Sequence, residues 1–155
     1  MIVVDIETSG LYPERNGIWQ IGALDFNHPN NTFLEEAKID DEDEVDEEAT
    51  KVHGKDETYL RDKDKQSQKQ LLVNFFDWCN GVEIKNAVCE NPQFDLSFIN
   101  HELSLLQKKS VNIDLASIGI TIDNCHPIEQ RHKIYDTLVL ARRLYPGQKN
   151  NLDAL

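Results

Sequence analysis

The segment Ile2-Val3-Val4-Asp5-Ile6-Glu7 constrains this chain most, because it sets two carboxylates into an otherwise apolar, largely β-branched run. That composition predicts a strand, ended by the turn cluster Thr8-Ser9-Gly10. Side chains alternate across a strand, so Asp5 and Glu7 share one face with Cα atoms about 6.6–6.8 Å apart, and Val4 and Ile6 take the other. Two acids so placed repel each other and resist desolvation unless they are protonated, solvated at the strand's end, or bound to a cation. A metal ion answers the repulsion economically, and oxygen-only ligation suits Mg²⁺ or Mn²⁺ better than zinc. Ordinary surface acids at an exposed strand end are the alternative.

A second strand is expected over about Ile18–Phe26. The run Asn27-His28-Pro29-Asn30-Asn31 reads as a hairpin turn into a third strand, Thr32–Ile39, so that the three form an antiparallel meander. Glu47–Val52 reads as a short helix stopped by Gly54. Gln66–Cys79 reads as an amphipathic helix with Leu71, Leu72, Phe75, Phe76 and Cys79 inward and Asn80-Gly81 as its stop. Glu83–Cys89 follows as a fourth strand. Asn91-Pro92 then supplies an N-cap and first-turn proline for a helix to about Gln107, burying Phe94, Phe98, Ile99, Leu103 and Leu106. Residues 110–130 carry no decisive pattern. Beyond them Asp136 caps a helix that contains Leu138 to Leu144 and ends at Pro146-Gly147. Strands first and strand–helix alternation afterwards imply an α/β domain with a mixed sheet, parallel strands joining the meander and helices flanking it. We expect one domain over residues 1–155.

The net charge of −12 argues at first against a nucleic-acid partner, since neutralisation of phosphates by Lys and Arg dominates such affinity. The charge is unevenly spread. Residues 35–48 hold ten acids and one lysine, net −9, which leaves −3 for the rest of the chain. Such a run is expected to be a solvated loop or helix face. Cys79, Cys89 and Cys125 form no Cys-x-x-Cys pair and are expected to be buried free thiols. Trp19, Phe75, Phe76 and Trp78 read as packing residues rather than a base-stacking platform. No apolar run is long enough to cross a bilayer and no leader follows Met1, so a cytoplasmic protein without membrane contact is expected. Asn151–Leu155 looks like a helix start that stops after one turn, from which we expect the fold to continue past Leu155.

Asp95 lies in the first turn of the helix opened by Asn91-Pro92, where the helix dipole favours an acid whatever its role. That place, just past a strand's C-terminal end, is also where open α/β sheets hold ligands, and a third carboxylate there would complete a two-metal cluster. At this point Val4-Asp5-Ile6-Glu7-Thr8-Ser9-Gly10-Leu11 resembles the first motif of the DnaQ-like 3′-to-5′ exonuclease family, and Asn91-Pro92-Gln93-Phe94-Asp95 resembles its second. Ala49-x-x-Val52-His53-Gly54 is similar to a family segment between them. So is the stretch from Asp136-Thr137-Leu138-x-Leu140-Ala141-Arg142 through Pro146-Gly147-x-x-Asn150-x-Leu152-Asp153-Ala154-Leu155. The match runs end to end and is nearest in appearance to the proofreading domains of bacterial replicative polymerases.

The resemblance implies a ribonuclease H-like fold and release of 5′-mononucleotides from the 3′ end of DNA or RNA, with two Mg²⁺ or Mn²⁺ ions. Asp5 would bridge both metals, Glu7 would hold the ion that activates water, and Asp95 would assist the other. Thr8, Ser9, Gly10 and Leu11 would meet the terminal nucleotide, with Leu11 packed on a base. Asn91 would touch a phosphate or sugar, and His53 would line the same groove. Plainer roles stand beside these: Gly10 as a turn residue, Asn91 as an N-cap, Leu11 as core, His53 as a helix-end cap. The family's third motif, a His followed five residues later by an Asp on a final helix, has no counterpart in these residues, and Glu90 stands where many relatives carry His. The resemblance therefore implies a nucleic-acid 3′ end, and a DNA polymerase, as partners. Its non-catalytic alternative is an exonuclease-fold module that binds nucleic acid or a polymerase.

Overall fold

A computed structural model describes residues 1–84, 86–109 and 134–136. β1 (Ile2–Thr8) buries Ile2, Val4, Ile6 and Thr8 on one face and turns Val3, Asp5 and Glu7 to the other, as its alternation requires. β2 (Ile18–Asp25) and β3 (His28–Lys38) follow antiparallel, completing the expected meander. The turn between them is earlier and tighter than the Asn/Pro cluster suggested, for only Phe26 and Asn27 separate the strands. The buried carboxylate of Asp25 explains this, accepting from the Asn27 N–H at 3.0 Å and pairing with His28 Nδ1 at 2.8 Å. Leu24 pairs with Thr32 and Asp25 with His28, so Pro29, Asn30 and Asn31 become a bulge within β3 instead of the turn itself.

α1 (Glu47–His53) ends at Gly54, whose φ of 71° is the left-handed conformation a side chain would disfavour. α2 (Glu57–Leu60), capped by the Asp56 side chain on the Tyr59 N–H, and β4 (Gln66–Ser67), parallel to β3, are short elements without a sequence signal. α3 (Gln68–Gly81) starts at Ser67, whose hydroxyl accepts from the Gln70 N–H. It runs through Asn80-Gly81 and stops at Val82, which is extended. β5 (Ala87–Cys89) is shorter than expected. α4 (Pro92–Lys109) follows it, and Asn91 before it has φ 48°, not the extended backbone of an ordinary N-cap. β6 (Ile134–Asp136) lies parallel to β5, so Asp136 ends a strand, and the helix expected after it lies outside the described residues.

The sheet order is β4-β3-β2-β1-β5-β6, with β5 parallel to β1. The architecture is the mixed α/β sheet anticipated from the strand–helix pattern. Leu71, Leu72 and Phe75 of α3 and Phe98, Ile99 and Leu103 of α4 close one core over Val4, Ile6, Ile21 and Phe33. A smaller cluster gathers Trp19, Ile39 and Leu60 with Val45 and Tyr59. Cys79 and Cys89 are in no disulfide, and Cys125 lies outside the described residues. Register then fixes what shares the opposite face of the meander, in rows Val3–Leu24–Thr32, Asp5–Gly22–Leu34 and Glu7–Gln20–Glu36. Asp5 is exposed there, and Leu34 is 69% exposed.

Candidate active site

β1 extends past its partner β5, which pairs only with Ile2 and Val3. The Ile2 N–H points to that side, onto Asn86 O, and the alternation sends the Ile6 N–H the same way, where no strand among the described residues meets it. Asp95, in the first turn of α4, fills the gap: its Oδ1 accepts from the Ile6 N–H at 3.2 Å in a buried setting. This bond anchors the third carboxylate between the two strand acids. Asp95 is 3% exposed, and its pKa is pushed up to about 7, first by burial and then by the negative charges of Asp5 and Glu7. Burial raises Asp5, and burial followed by the charge of Asp5 raises Glu7.

Asp95 therefore feels the charges of both strand acids, and Glu7 feels that of Asp5. Among the described residues no three His, Cys, Asp or Glu side chains are drawn together as a finished metal-holding group. The donor set still fits a hard divalent cation, being all carboxylate oxygen, each with a raised pKa that added positive charge would relieve.

Beside these acids, residues 8–17 form a loop fastened to the acidic run, which is not the freely solvated face its composition suggested. Ser9 is fully buried, and its hydroxyl donates to Glu44 O at 2.7 Å and accepts from the Gly17 N–H at 3.0 Å. Its main chain is engaged as well, the N–H to Gly17 O and the carbonyl from the Asp46 N–H. Asn16 Nδ2 donates to Glu44 O, and the Arg15 guanidinium pairs with the Glu44 carboxylate. From the far side Arg61 donates to the carbonyls of Asp40 and Asp43, while Asp43 Oδ2 accepts from Gln68 Nε2 and the Asp40 N–H. Burial raises the Asp43 pKa, opposed by these hydrogen bonds. A single sequence has no signal for these clamps, because Arg61 and Gln68 lie far along the chain from the loop they hold.

The expected substrate residues sort accordingly. Ser9 is engaged within the protein through its hydroxyl, N–H and carbonyl, and the Thr8 hydroxyl donates to Gly10 O at 2.6 Å. A Cβ on Gly10 would stand 2.3 Å from Asp46 Oδ2 and 2.4 Å from Asn16 Nδ2, so close approach of side chains requires glycine there. Leu11 is 63% exposed and is not core. Asn91 is exposed at the mouth of α4. His53 sits at the end of α1 with its ring 5.3 Å from that of Trp19, and its Nδ1 accepts from the Lys55 N–H at 3.0 Å. That bond leaves the ring proton on Nε2, and burial, then the charge of Lys55, lowers its pKa. Trp19 is the extra residue of a bulge opposite the Glu7–Thr8 junction, where Glu7 pairs with Gln20 and Thr8 with Ile18.

The profile of the RNase T type, described as Exonuclease, matches residues 2–155. The chain belongs to this exonuclease family. Over 162 residues it is 33% identical to DNA polymerase III subunit epsilon of Buchnera aphidicola subsp. Baizongia pistaciae, covering 99% of this chain and 57% of that protein. The epsilon subunit of Escherichia coli K12 is also 33% identical, with 99% and 58% covered. The epsilon subunit of Rickettsia conorii is 34% identical, with 99% and 59% covered. The chain thus spans somewhat over half the length of these relatives. Among solved structures, the metal-free E. coli exonuclease I–ssDNA complex aligns with TM-score 0.68 at 16% identity, covering 99% of this chain and 34% of that one. Product-bound exonuclease I aligns at 0.65 and 17% identity, with 99% and 35% covered. At such identity the likeness establishes the fold, which is ribonuclease H-like.

Proposed function

We propose that this exonuclease-family chain acts as a metal-dependent 3′-to-5′ exonuclease, releasing 5′-mononucleotides from a single-stranded or frayed nucleic-acid 3′ end in proofreading beside a DNA polymerase. The observation that carries the reading is the electrostatic link among Asp5, Glu7 and Asp95: burial raises the pKa of all three, the charge of Asp5 adds to the rise at Glu7 and Asp95, and that of Glu7 adds to the rise at Asp95. Two divalent cations bound there would supply a hydroxide nucleophile and stabilise the leaving 3′ oxygen. Asp5 and Glu7 would hold them from the strand, and Asp95 from the helix, oriented by its bond to the Ile6 N–H. Leu11 would offer its exposed side chain to the terminal base, Gly10 and the buried Thr8 and Ser9 would shape the loop beneath it, and Asn91 and His53 would line the groove. This assigns Ser9 a supporting role in place of direct contact.

A second reading is a non-catalytic module that binds nucleic acid or a polymerase. A 5′-labelled oligonucleotide incubated with protein and Mn²⁺ separates the two. Stepwise shortening from the 3′ end, blocked by EDTA and by Asp5→Ala, is the result we expect of the enzyme. Binding with no shortening at high protein concentration favours the module.

A further inference from the structure

We propose that Lys55, held over the ring of Tyr59, is a phosphate contact for the nucleic-acid strand as it crosses the open sheet face away from the Asp5–Glu7 site. The inference rests on the nuclease reading above and adds a binding residue outside the carboxylate site. Register sets Glu7, Gln20 and Glu36 in one row, so Glu36 lies two strand spacings from Glu7, about 10 Å. The Glu36 carboxylate gathers several groups: Gln20 Nε2 at 3.2 Å, the Tyr59 hydroxyl at 2.7 and 2.8 Å, and Lys65 Nζ at 2.7 Å. These contacts bring Tyr59 and Lys65 to the edge of the same face. Lys65 Nζ lies 3.3 Å and Lys55 Nζ 4.3 Å from the centre of the Tyr59 ring, and both distances fit cation–π contact.

The two lysines differ in what they have left to offer. Lys65 is mostly buried and its charge is answered by Glu36, whereas Lys55 is half-buried and has no carboxylate within ion-pair distance among the described residues. With ammonium groups on the tyrosine ring, the ring is a poor base-stacking platform, and the available interaction is that of a positioned cation. A polyanion leaving the metal site along this row meets the carboxylate of Glu36 about 10 Å from Glu7, so the ammonium fixed on the neighbouring Tyr59 ring is a place for it to rest.

Binding of a fluorescein-labelled oligothymidylate by the full chain, followed by anisotropy with Ca²⁺ in place of Mn²⁺ over a range of salt, tests this. For Lys55→Ala we expect several-fold weaker binding at low salt and a log–log salt slope smaller by about 0.7, the loss of one phosphate contact. Affinity for thymidine monophosphate, which ends at the metal site, should be unchanged, and Lys55→Arg should restore the slope. Glu36→Gln should move affinity the opposite way by uncovering the charge of Lys65. An unchanged slope in Lys55→Ala, or equal loss of monophosphate and oligonucleotide binding, overturns the proposal while leaving the nuclease reading in place. A wild-type chain that binds no oligonucleotide at any salt overturns both.

Discussion

Asp95→Asn tests the central electrostatic argument, because it deletes a charge the metal-free fold is poorly built to hold while keeping the hydrogen bond that positions the side chain. The asparagine carbonyl can still accept from the Ile6 N–H, the 3.2 Å bond that anchors residue 95. Asp95 has its pKa raised from 3.8 to about 7. Each unit corresponds to about 1.36 kcal/mol, so ionising Asp95 in the folded, metal-free protein costs roughly 4 kcal/mol relative to the unfolded chain. The sign follows from proton binding. Below pH 3.8 both states hold the proton and nothing is lost; between 3.8 and about 7 only the folded state holds it, so stability falls as pH rises; above about 7 the loss is complete.

Thermal unfolding in EDTA should therefore show Asp95→Asn gaining on the wild type from pH 4 to pH 8. At about 2–4 °C per kcal/mol for a chain of this size, the gain should reach on the order of 10 °C. Mn²⁺ should narrow the gap by stabilising the wild type, by about 2.7 kcal/mol at a hundredfold excess over its dissociation constant and by about 4.1 kcal/mol at a thousandfold excess, while leaving the variant nearly unmoved. A difference in melting temperature that stays flat with pH would refute the claim that Asp95 is a strained carboxylate. Equal Mn²⁺ stabilisation of both proteins would refute its place in the metal site.

The loop beside the acids yields the remaining predictions. Ser9→Ala strands the Gly17 N–H and removes the donor to Glu44 O at a fully buried position, and urea unfolding should show a loss of roughly 2–3 kcal/mol. Gly10→Ala places a methyl within 2.5 Å of Asn16 and Asp46 side-chain atoms, so it should detach the acidic run, detected as faster proteolysis within residues 40–48. Leu11→Ala, at an exposed position, should change stability by less than about 0.5 kcal/mol. It should still weaken oligonucleotide binding measurably, and unaltered binding would remove Leu11 from the substrate groove.

The parts of this fold legible in the sequence are those written with a local period. Alternation alone put Asp5 and Glu7 on one face, and three- and four-residue spacing found the buried stripes of α3 and α4. Gly54 marked a helix end because its φ is a property of one residue. What escaped was set by partners distant in sequence. Asp25 moved the hairpin turn because its carboxylate is buried and collects the Asn27 N–H and the His28 ring. The acidic run reads as a solvated segment in a charge count, yet its carbonyls at Asp40, Asp43 and Glu44 are the acceptors that Arg61, Ser9 and Asn16 use. Composition reports side-chain charge, whereas here the main chain makes most of the contact.

The same distinction explains why the acids at the site are tolerated in one small sheet. β1 outruns β5 and, among the described residues, leaves the Ile6 N–H without a ladder partner, so a hydrogen-bond acceptor from α4 is needed at that spot for backbone reasons before any metal binds. Burial beside Asp5 and Glu7 then makes that structural acceptor electrostatically unfavourable when ionised. An asparagine would satisfy the backbone equally well without that penalty. The fold alone therefore gives no reason to prefer aspartate over asparagine at position 95; a cation does, and that is why the pH and Mn²⁺ dependence of Asp95→Asn separates a carboxylate kept for the fold from one kept for chemistry.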